Sequence, residues 1–328
     1  MTPRSTSDGP SSNRFAQSTS PTARRRSRPV AALGSDAITK PLDQLVEQFR
    51  EARHLDADPL GIVHEHADPG DQEVVALLAA AFAYGRVELL NRAVKAVVSA
   101  LGPSPRAALL QGVHQSPTFL PDFRYRFNDR SDVVGLCEAI ARTLQEEESL
   151  GASFARHRAS AGSFERALED WVRALRARAS CGRPARRGLK FLLPDPAAGG
   201  PCKRWRLFLR WMIRPDDGLD LGLWSGQLSP AELLLPLDAH WTRIGPRLGW
   251  TQRRTPGRAM AEDLTRALRR LCPEDPLRYD FAICHLGMTG ACPPRLEQRH
   301  CLACPLRGIC ATGARATRQG RSREHRST

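Results

Sequence analysis

The cysteines near the C-terminal end of the sequence have the spacing of a metal site. Cys292, Cys301, Cys304 and Cys310 follow the pattern C-x8-C-x2-C-x5-C. Thiolate sulfur is a soft ligand, so four cysteines in a short loop favour an iron–sulfur cluster or zinc. Zinc sites usually contain two separate C-x2-C turns, whereas this segment has one such turn with longer, unequal arms. The spacing therefore predicts a [4Fe–4S] cluster with one cysteine on each iron, and zinc is the alternative.

The segment GGPCK contains a lysine that could act as a nucleophile. Gly199 and Gly200 allow close approach of a ligand to the backbone, and Pro201 suits the first helical position. Free N–H groups at such a helix start can bind a phosphate. The helix dipole and the neighbouring Arg204 disfavour the charged form of Lys203, and Schiff-base chemistry requires a neutral amine. The alternative is a solvated surface lysine at the start of an ordinary amphipathic helix.

A second polar segment, PLDAHWTRIGPRLGW, places an acid before a helical stretch. Asp238 precedes this helix and His240 lies in its first turn. An aspartate here is either the N-cap of the helix or a catalytic carboxylate, and for a lone aspartate the cap is the default. For His240, packing or capping is favoured over catalysis.

The charge of the chain favours a polyanionic partner. The net charge is +14, of which +4 lies in residues 1–37 and +4 in residues 311–328, so the body is basic in its own right. Nucleic acid is the commonest partner of such a chain. The alternative explanation of the positive charge is arginine enrichment in a GC-rich genome. The segment FRYRFND mixes aromatic and basic residues. We therefore predict that Arg124 and Arg126 contact DNA, with a solvated basic loop as the alternative.

The sequence argues against a membrane or secreted protein. The longest apolar run, Val74–Tyr84, has about half the length that a membrane span needs. No apolar stretch resembles a secretory signal, so we expect a cytoplasmic protein with reduced cysteines. A compact group of reduced cysteines indicates metal more often than disulfides.

The elements that must position these residues are predicted to be helices, which gives an all-α class. Residues 1–37 and 311–328 are predicted to be disordered basic tails, residues 38–291 a helical region, and residues 292–310 the cluster loop. No convincing alternation of strand residues occurs, and residues 181–200 are predicted to be a loop. Helices are predicted at residues 71–86, 87–101, 104–111, 131–150, 163–179, 201–213, 238–248 and 256–271.

Taken together, these segments resemble the helix-hairpin-helix DNA glycosylase superfamily, whose best-known iron–sulfur member is endonuclease III. GGPCK is similar to the Gly-rich hairpin that ends in the catalytic lysine, and PLDAHWTRIGPRLG to the segment with the catalytic aspartate. ICHLGMTGAC and the following cysteines resemble the helix and loop that hold the cluster. The resemblance runs from about Asp71 to Cys310. The whole-chain pattern, with AFAYGR, YRF and FLRWMIR, looks closest to an uncharacterised bacterial family known as domain of unknown function 2400.

The resemblance implies a two-lobed helical fold with the active cleft between the lobes and the cluster loop at the C-terminal end. Lys203 and Asp238 would be the catalytic pair of a bifunctional DNA glycosylase and AP lyase, which acts on a base flipped out of double-stranded DNA. Gly199, Gly200 and Arg204 would contact the DNA. The implied protein is a monomeric, nucleoid-associated bacterial repair enzyme whose substrate base stays open. The alternative is a non-catalytic nucleic-acid-binding protein with a structural metal site.

Three features depart from endonuclease III. The arm between Cys292 and Cys301 is longer, and the gap between Lys203 and Asp238 contains an inserted segment, RPDDGLDLGLWSGQLS. The sequence PDPAAGGPCK also replaces the usual Leu-Pro-Gly-Val-Gly hairpin. Phosphate binding by this loop is therefore supported less directly than the metal site.

The metal prediction has a simple spectroscopic test. Protein purified anaerobically is expected to be yellow-brown with broad visible absorption, because iron–sulfur clusters absorb in this range and zinc does not. Substitution Cys304→Ser is expected to abolish most of the colour, whereas Cys137→Ser, outside the cluster segment, leaves it unchanged. A colourless protein that contains zinc would contradict the iron assignment.

Overall fold

The computed structural model describes residues 35–49, 55, 58–180 and 186–314. Most of the two tails that the sequence predicts lies outside these described residues. A helix begins at Ser35 and residues 311–314 are helical, so helical residues extend a few positions into each predicted tail. Across the described ranges, no helix is both long and apolar enough to cross a membrane.

The described part of the chain is mostly helical, which confirms the predicted all-α class. In chain order the α-helices are α1 (Ser35–Phe49), α2 (Pro59–His64), α3 (Pro69–Ala81), α4 (Val87–Leu101), α5 (Pro105–Leu110), α6 (Arg130–Glu146), α7 (Leu150–Ser160), α8 (Phe164–Ser180), α9 (Arg187–Leu192), α10 (Lys203–Ile213), α11 (Ala239–Leu248), α12 (Arg258–Arg269), α13 (Asp280–Met288) and α14 (Gln298–Ala303). Two antiparallel strands, β1 (Arg124–Tyr125) and β2 (Asn128–Asp129), form a short hairpin.

Several helices begin where an Asp or Ser side chain accepts a backbone N–H of the first turn. These N-caps are Asp58 on α2, Asp68 on α3, Asp129 on α6, Ser149 on α7 and Asp238 on α11. Such a cap satisfies an N–H group that has no partner inside the helix, and it contributes about 1 kcal/mol. The helix starts are therefore largely encoded by local sequence.

The buried hydrophobic side chains form one continuous core. Helix α3, rich in Ala, Val and Leu, is buried along most of its length and packs against α2, α10 and α5. Helices α6 and α7 both pack on α8, and α13 packs on α1 and α11. The division into two lobes that the sequence predicts stays a prediction.

Two elements differ from the sequence interpretation. The segment FRYRFND forms the β1–β2 hairpin, whose strands of two residues are too short to show an alternating pattern. The predicted loop 181–200 contains α9 and a 3-10 helix, Pro196–Ala198. Because α9 has only six residues, its apolar periodicity is too short for helix detection from sequence.

The segment inserted between Lys203 and Asp238 is folded onto the helical core. The backbone N–H of Trp224 donates to Met212 O at 2.7 Å, and its indole N–H donates to the buried carboxylate of Glu73 at 2.5 Å. Glu73 also accepts the N–H groups of Leu150 and Gly151 at the start of α7. This one side chain therefore joins α3, α7 and the inserted segment.

Replacement of Glu73 tests this junction. Glu73→Ala is expected to lower the free energy of unfolding by about 3 kcal/mol or more, because three buried donors lose their acceptor at about 1–3 kcal/mol each. Glu73→Gln keeps an oxygen acceptor and is expected to cost less. Urea unfolding measures both variants. The exposed Glu88 on α4 serves as the control, since Glu88→Ala is expected to lower the free energy of unfolding by less than about 1 kcal/mol. An equal decrease for Glu73→Ala and Glu88→Ala would contradict the role of Glu73.

Candidate active site

A cavity of about 270 Å³ lies where α2 and the α3–α4 loop meet α10, α11 and α13. Its size is near the lower end of small-molecule sites, roughly 300 Å³. Lys203 and Asp238 both line this cavity, although the chain between them is 34 residues long. The two segments that the sequence analysis selected separately therefore share one site.

The position of Lys203 depends on an unusual backbone conformation. Cys202, the residue before it, has φ 44° and ψ 40°, in the left-handed region that residues with a Cβ adopt at a cost of about 1–2 kcal/mol. Its side chain is buried and its thiol lies 3.7 Å from Asp195 O. Among the described residues, no side chain caps the start of α10. Strain of this kind is concentrated at functional sites, where surrounding contacts hold it.

The glycines before Lys203 leave space in front of the helix start. Gly199 has φ 74°, in the left-handed region that favours glycine. Gly200 has no positive φ. A Cβ added at either residue would meet no atom within 4 Å. These two glycines are therefore not needed for close packing in the described structure. Their predicted contact with DNA stays a prediction.

Asp238 caps a helix, which is one of the two roles considered from the sequence, and it lines the cavity, so its catalytic role stays a prediction. Its Oδ1 accepts the N–H of Trp241 at 2.7 Å, and its other oxygen, Oδ2, lies 3.6 Å from the thiol of Cys284 on α13. The same thiol lies 3.6 Å from Asp280 Oδ1. Burial raises the pKa of Cys284 well above its usual value, and the carboxylates of Asp238 and Asp280 raise it further.

Asp280 connects the three helices that carry these groups. Its Oδ1 accepts the indole N–H of Trp241 on α11 at 2.5 Å, and its Oδ2 accepts Arg210 Nη1 on α10 at 2.9 Å. Arg210 also donates to the fully buried Asp220. Burial raises the pKa of Asp280, and Arg210 acts in the opposite direction. The ion pair therefore offsets part of the effect of burial on Asp280.

One buried donor at the cavity is unused. Arg210 lines the cavity and is 4% exposed, and its Nη2 has no hydrogen-bond partner in the part of the chain that the structure describes. A buried donor without a partner costs about 1–3 kcal/mol, more for a charged group.

Asp58 and His240 are further titratable side chains that line the cavity. Burial raises the pKa of Asp58, the N-cap of α2, while the Leu60 N–H and the charge of Arg210 lower it. Burial lowers the pKa of His240, and Arg243 and Lys203 lower it too, against the effect of Asp238. These effects together favour the neutral form of His240.

The arginines that are predicted to contact DNA lie in two different environments, one packed between helices and one exposed. The guanidinium of Arg204 donates to Ala81 O at 3.0 Å and to Phe191 O, and lies 4.2 Å from the Phe191 ring centroid. These contacts hold α10 against α3 and α9, so a phosphate contact of Arg204 stays a prediction. Arg124 and Arg126 are exposed on the hairpin.

The four cysteines of the predicted metal site lie around the C-terminal end of α11. Arg247 Nη1 donates to Cys292 Sγ at 3.1 Å, and the Cys310 thiol donates to Arg247 O at 3.2 Å. Burial, together with the thiols of Cys310, Cys292 and Cys301, raises the pKa of Cys304 to about 11. The donor set and the N–H···S contacts suit a negatively charged thiolate cluster. Within the described ranges, however, no three His, Cys, Asp or Glu side chains have the arrangement of a metal site.

The sequence analysis missed four cavity residues: Asp58, Arg210, Asp280 and Cys284. Asp58 had a visible signal, because Asp-Pro before an apolar stretch predicts a helix start. Arg210 interrupts the apolar face of a helix, which is typical of a buried ion pair. Asp280 and Cys284 had no comparable signal, since their importance depends on partners that are distant in sequence.

Comparison with known proteins gives one match. A family model described as "Protein of unknown function (DUF2400)" matches residues 58–289. This region includes every residue that lines the cavity and ends before Cys292. Searches of the curated proteins and of the solved structures gave no match.

Alkylation of Cys284 tests the arrangement without any assumption about activity. Only the thiolate reacts with iodoacetamide. Asp238→Asn keeps a good helix cap but removes a charge that raises the pKa of Cys284, so alkylation at Cys284 is expected to become several-fold faster. Peptide mass spectrometry follows the rate. Cys272, which pairs with Glu274, is the internal control and should not change. An unchanged rate at Cys284 would contradict its closeness to Asp238.

Proposed function

This chain belongs to the DUF2400 family, and we propose that it is a DNA-processing enzyme, a bifunctional glycosylase and AP lyase in which Lys203 forms a Schiff base with the sugar of a flipped nucleotide. The observation that carries the proposal is that Lys203 and Asp238 line the same cavity. The likeness to the helix-hairpin-helix glycosylases rests on sequence motifs and supports the proposal from a separate direction.

The lysine content of the chain makes this arrangement more specific. The chain has four lysines in total, at positions 40, 95, 190 and 203, against an abundance of arginine. Of these lysines, only Lys203 lines the cavity. A guanidinium is always protonated and cannot serve as an amine nucleophile. A single lysine next to Asp58 and Asp238 is therefore a selective pairing of nucleophile and proton acceptors.

The proposed reaction begins at the sugar. The neutral amine of Lys203 attacks C1′, the bond between C1′ and the base breaks, and the base leaves with that electron pair and takes up a proton. Asp238 accepts the proton that the attacking nitrogen loses, and the C1′–O4′ bond then opens to give the imine. O4′ takes up the proton that Asp238 holds, which returns this carboxylate to its basic form. Transfer of a C2′ proton to a carboxylate or to water then breaks the C3′–O bond, and the phosphate leaves with that electron pair, which cuts the strand.

Other cavity residues support these steps. Burial raises the pKa of Asp58, so its carboxylate is a stronger base than usual and is a second acceptor for the lysine proton. The lowered pKa of His240 favours its neutral form, which adds little charge to oppose the protonated intermediate. An abasic duplex, which already lacks the base, is a suitable first substrate.

The four cysteines complete the proposal as a [4Fe–4S] site, with zinc as the alternative. The ligands would be Cys292, Cys301, Cys304 and Cys310, and the metal group would hold the C-terminal loop against α11. Arg247 on α11 already contacts Cys292 Sγ and Pro293 O, so the loop and this helix are joined before any metal is considered. The catalytic steps use residues of the cavity and do not involve the cluster.

Borohydride trapping tests the proposed Schiff base. Wild-type protein incubated with an abasic duplex and borohydride is expected to form a covalent crosslink, because reduction makes the imine permanent. Lys203→Ala is expected to abolish the crosslink. Asp238→Asn is expected to lower the rate of crosslink formation at least tenfold. General acid–base catalysis contributes roughly 10²-fold or more, and Asp58 is expected to replace part of the lost contribution.

Lys40→Ala and Lys95→Ala are the matched controls, since both lysines are exposed and lie away from the cavity lining. Both are expected to crosslink as the wild type does. A crosslink that persists in Lys203→Ala would overturn the role of this residue. Salt-sensitive DNA binding without any crosslink would favour the non-catalytic alternative.

A further inference from the structure

We propose that the tip of the β1–β2 hairpin and α9 form a stacking surface that holds an unpaired nucleobase beside the mouth of the cavity. This surface consists of Tyr84, Phe127 and Phe191, with the basic side chains of Arg124, Arg126 and Lys190 around it. The inference rests on the proposed DNA substrate, but it does not require that any bond be broken.

The first observation is the exposure of two aromatic rings that touch each other. Phe127 is 54% exposed and Phe191 is 37% exposed, and their ring centroids are 4.7 Å apart in a T-shaped arrangement. Trp171, Trp211, Trp224 and Trp241 are, in contrast, fully buried. Exposed aromatic residues in contact are unusual unless they bind a partner, and a nucleobase is a flat partner with a π-face that stacks on them.

The second observation is that this surface is continuous with the cavity. Tyr84 lines the cavity, and its ring lies nearly parallel to Phe127 at 6.0 Å and edge-on to Phe191 at 4.8 Å. Arg204, the residue after Lys203, has its guanidinium 4.2 Å from the centroid of the Phe191 ring. A base on Phe127 and Phe191 would therefore lie close to the nucleotide that reaches Lys203.

The third observation is the way the hairpin is held. Tyr84 Oη donates to Asn128 Oδ1 at 2.5 Å, Asn128 donates to the buried Asp132 at 3.1 Å, and the Tyr125 hydroxyl donates to Tyr84 O. A Cβ at Gly188 in α9 would lie 2.0 Å from Asp132 Oδ2, so α9 is in close contact with the same network. The hairpin and α9 therefore form one rigid support for the exposed rings.

The turn itself carries backbone strain. Arg126 occupies the first position of a two-residue hairpin turn with φ 55°, where glycine is the preferred residue. A long basic side chain is kept at this exposed position despite the strain, which is typical of functional turns.

The charge around the rings favours nucleic acid over an apolar partner. Arg124, Arg126 and Lys190 are exposed, and the neighbouring Asp129 is paired with Arg186 at 2.6 Å, so the net charge is positive. Aromatic rings for bases and cations for phosphates are the combination found in surfaces that bind unpaired nucleotides.

The test compares two duplexes that differ at one position. One carries a tetrahydrofuran abasic analogue, which leaves an unpaired base opposite it and cannot form an imine, and the other is fully paired. Fluorescence anisotropy measures the dissociation constant for each. Wild-type protein is expected to prefer the tetrahydrofuran duplex. Phe127→Ala is expected to lose about tenfold of that preference, since stacking contributes about 1–3 kcal/mol per base.

Matched variants separate stacking from other effects. Phe127→Trp keeps a ring and should retain the preference, whereas Phe127→Leu keeps apolar area without a ring and should lose it. Leu110→Ala, at a residue 36% exposed on α5, should have no effect. Arg126→Gly should raise the thermal unfolding midpoint by relief of strain, and should weaken binding to both duplexes with a smaller dependence on salt.

Borohydride trapping on a natural abasic duplex, with the same variants, keeps the two proposals apart. Loss of the duplex preference in Phe127→Ala, without trapping by any protein, would support this surface and overturn the lyase. An unchanged preference in Phe127→Ala and Phe127→Leu, with normal trapping by wild type, would overturn this surface alone. No binding of wild type to either duplex would overturn both.

Discussion

The candidate site depends on one buried carboxylate. Asp280 at the start of α13 accepts hydrogen bonds from Arg210 of α10 and Trp241 of α11. These are the helices that begin at Lys203 and after Asp238. A charge in the core is tolerated only when it is paired and hydrogen-bonded, so loss of any partner would leave an uncompensated charge. The same pairing therefore fixes the relative positions of the lysine, the aspartate and the Cys284 thiol.

The cavity is also a meeting point of helix starts. Asp58 caps α2, Asp238 caps α11, and Lys203 and Asp280 are the first residues of α10 and α13. The N-terminus of a helix carries a partial positive charge that stabilises nearby anions. Three of these four helices present a carboxylate at their start, and α10 instead presents a lysine after a strained Cys202. The exception is the residue to which the proposed function assigns the nucleophile.

The hairpin and α9 extend this site to the surface. Both elements are short, and neither forms a hydrophobic layer of its own. They are held by polar contacts of Asn128 and Asp132 and by the Tyr84 ring, which also lines the cavity. Cavity and exposed rings are therefore parts of one connected region, which agrees with a substrate that is longer than the cavity alone can enclose.

The amino-acid sequence by itself determined what depends on neighbours along the chain. Helix starts follow from caps such as Asp238, the all-α class from apolar periodicity, and the candidate metal loop from the spacing of four cysteines. Lys203 and Asp238 could also be selected, because each belongs to a short motif. The β1–β2 hairpin and α9 could not, since segments of two to six residues contain too little periodicity to identify.

Only the tertiary structure decided which of these residues meet. Asp280 and Cys284 have unremarkable local contexts, and they matter because α10 and α11, which lie far apart from each other and from α13 in sequence, pack around them. Likewise, the folded chain buries five of the six tryptophans and exposes Phe127 and Phe191, although all are aromatic. Burial and ion pairing are properties of three-dimensional neighbours, and a sequence pattern describes only neighbours along the chain.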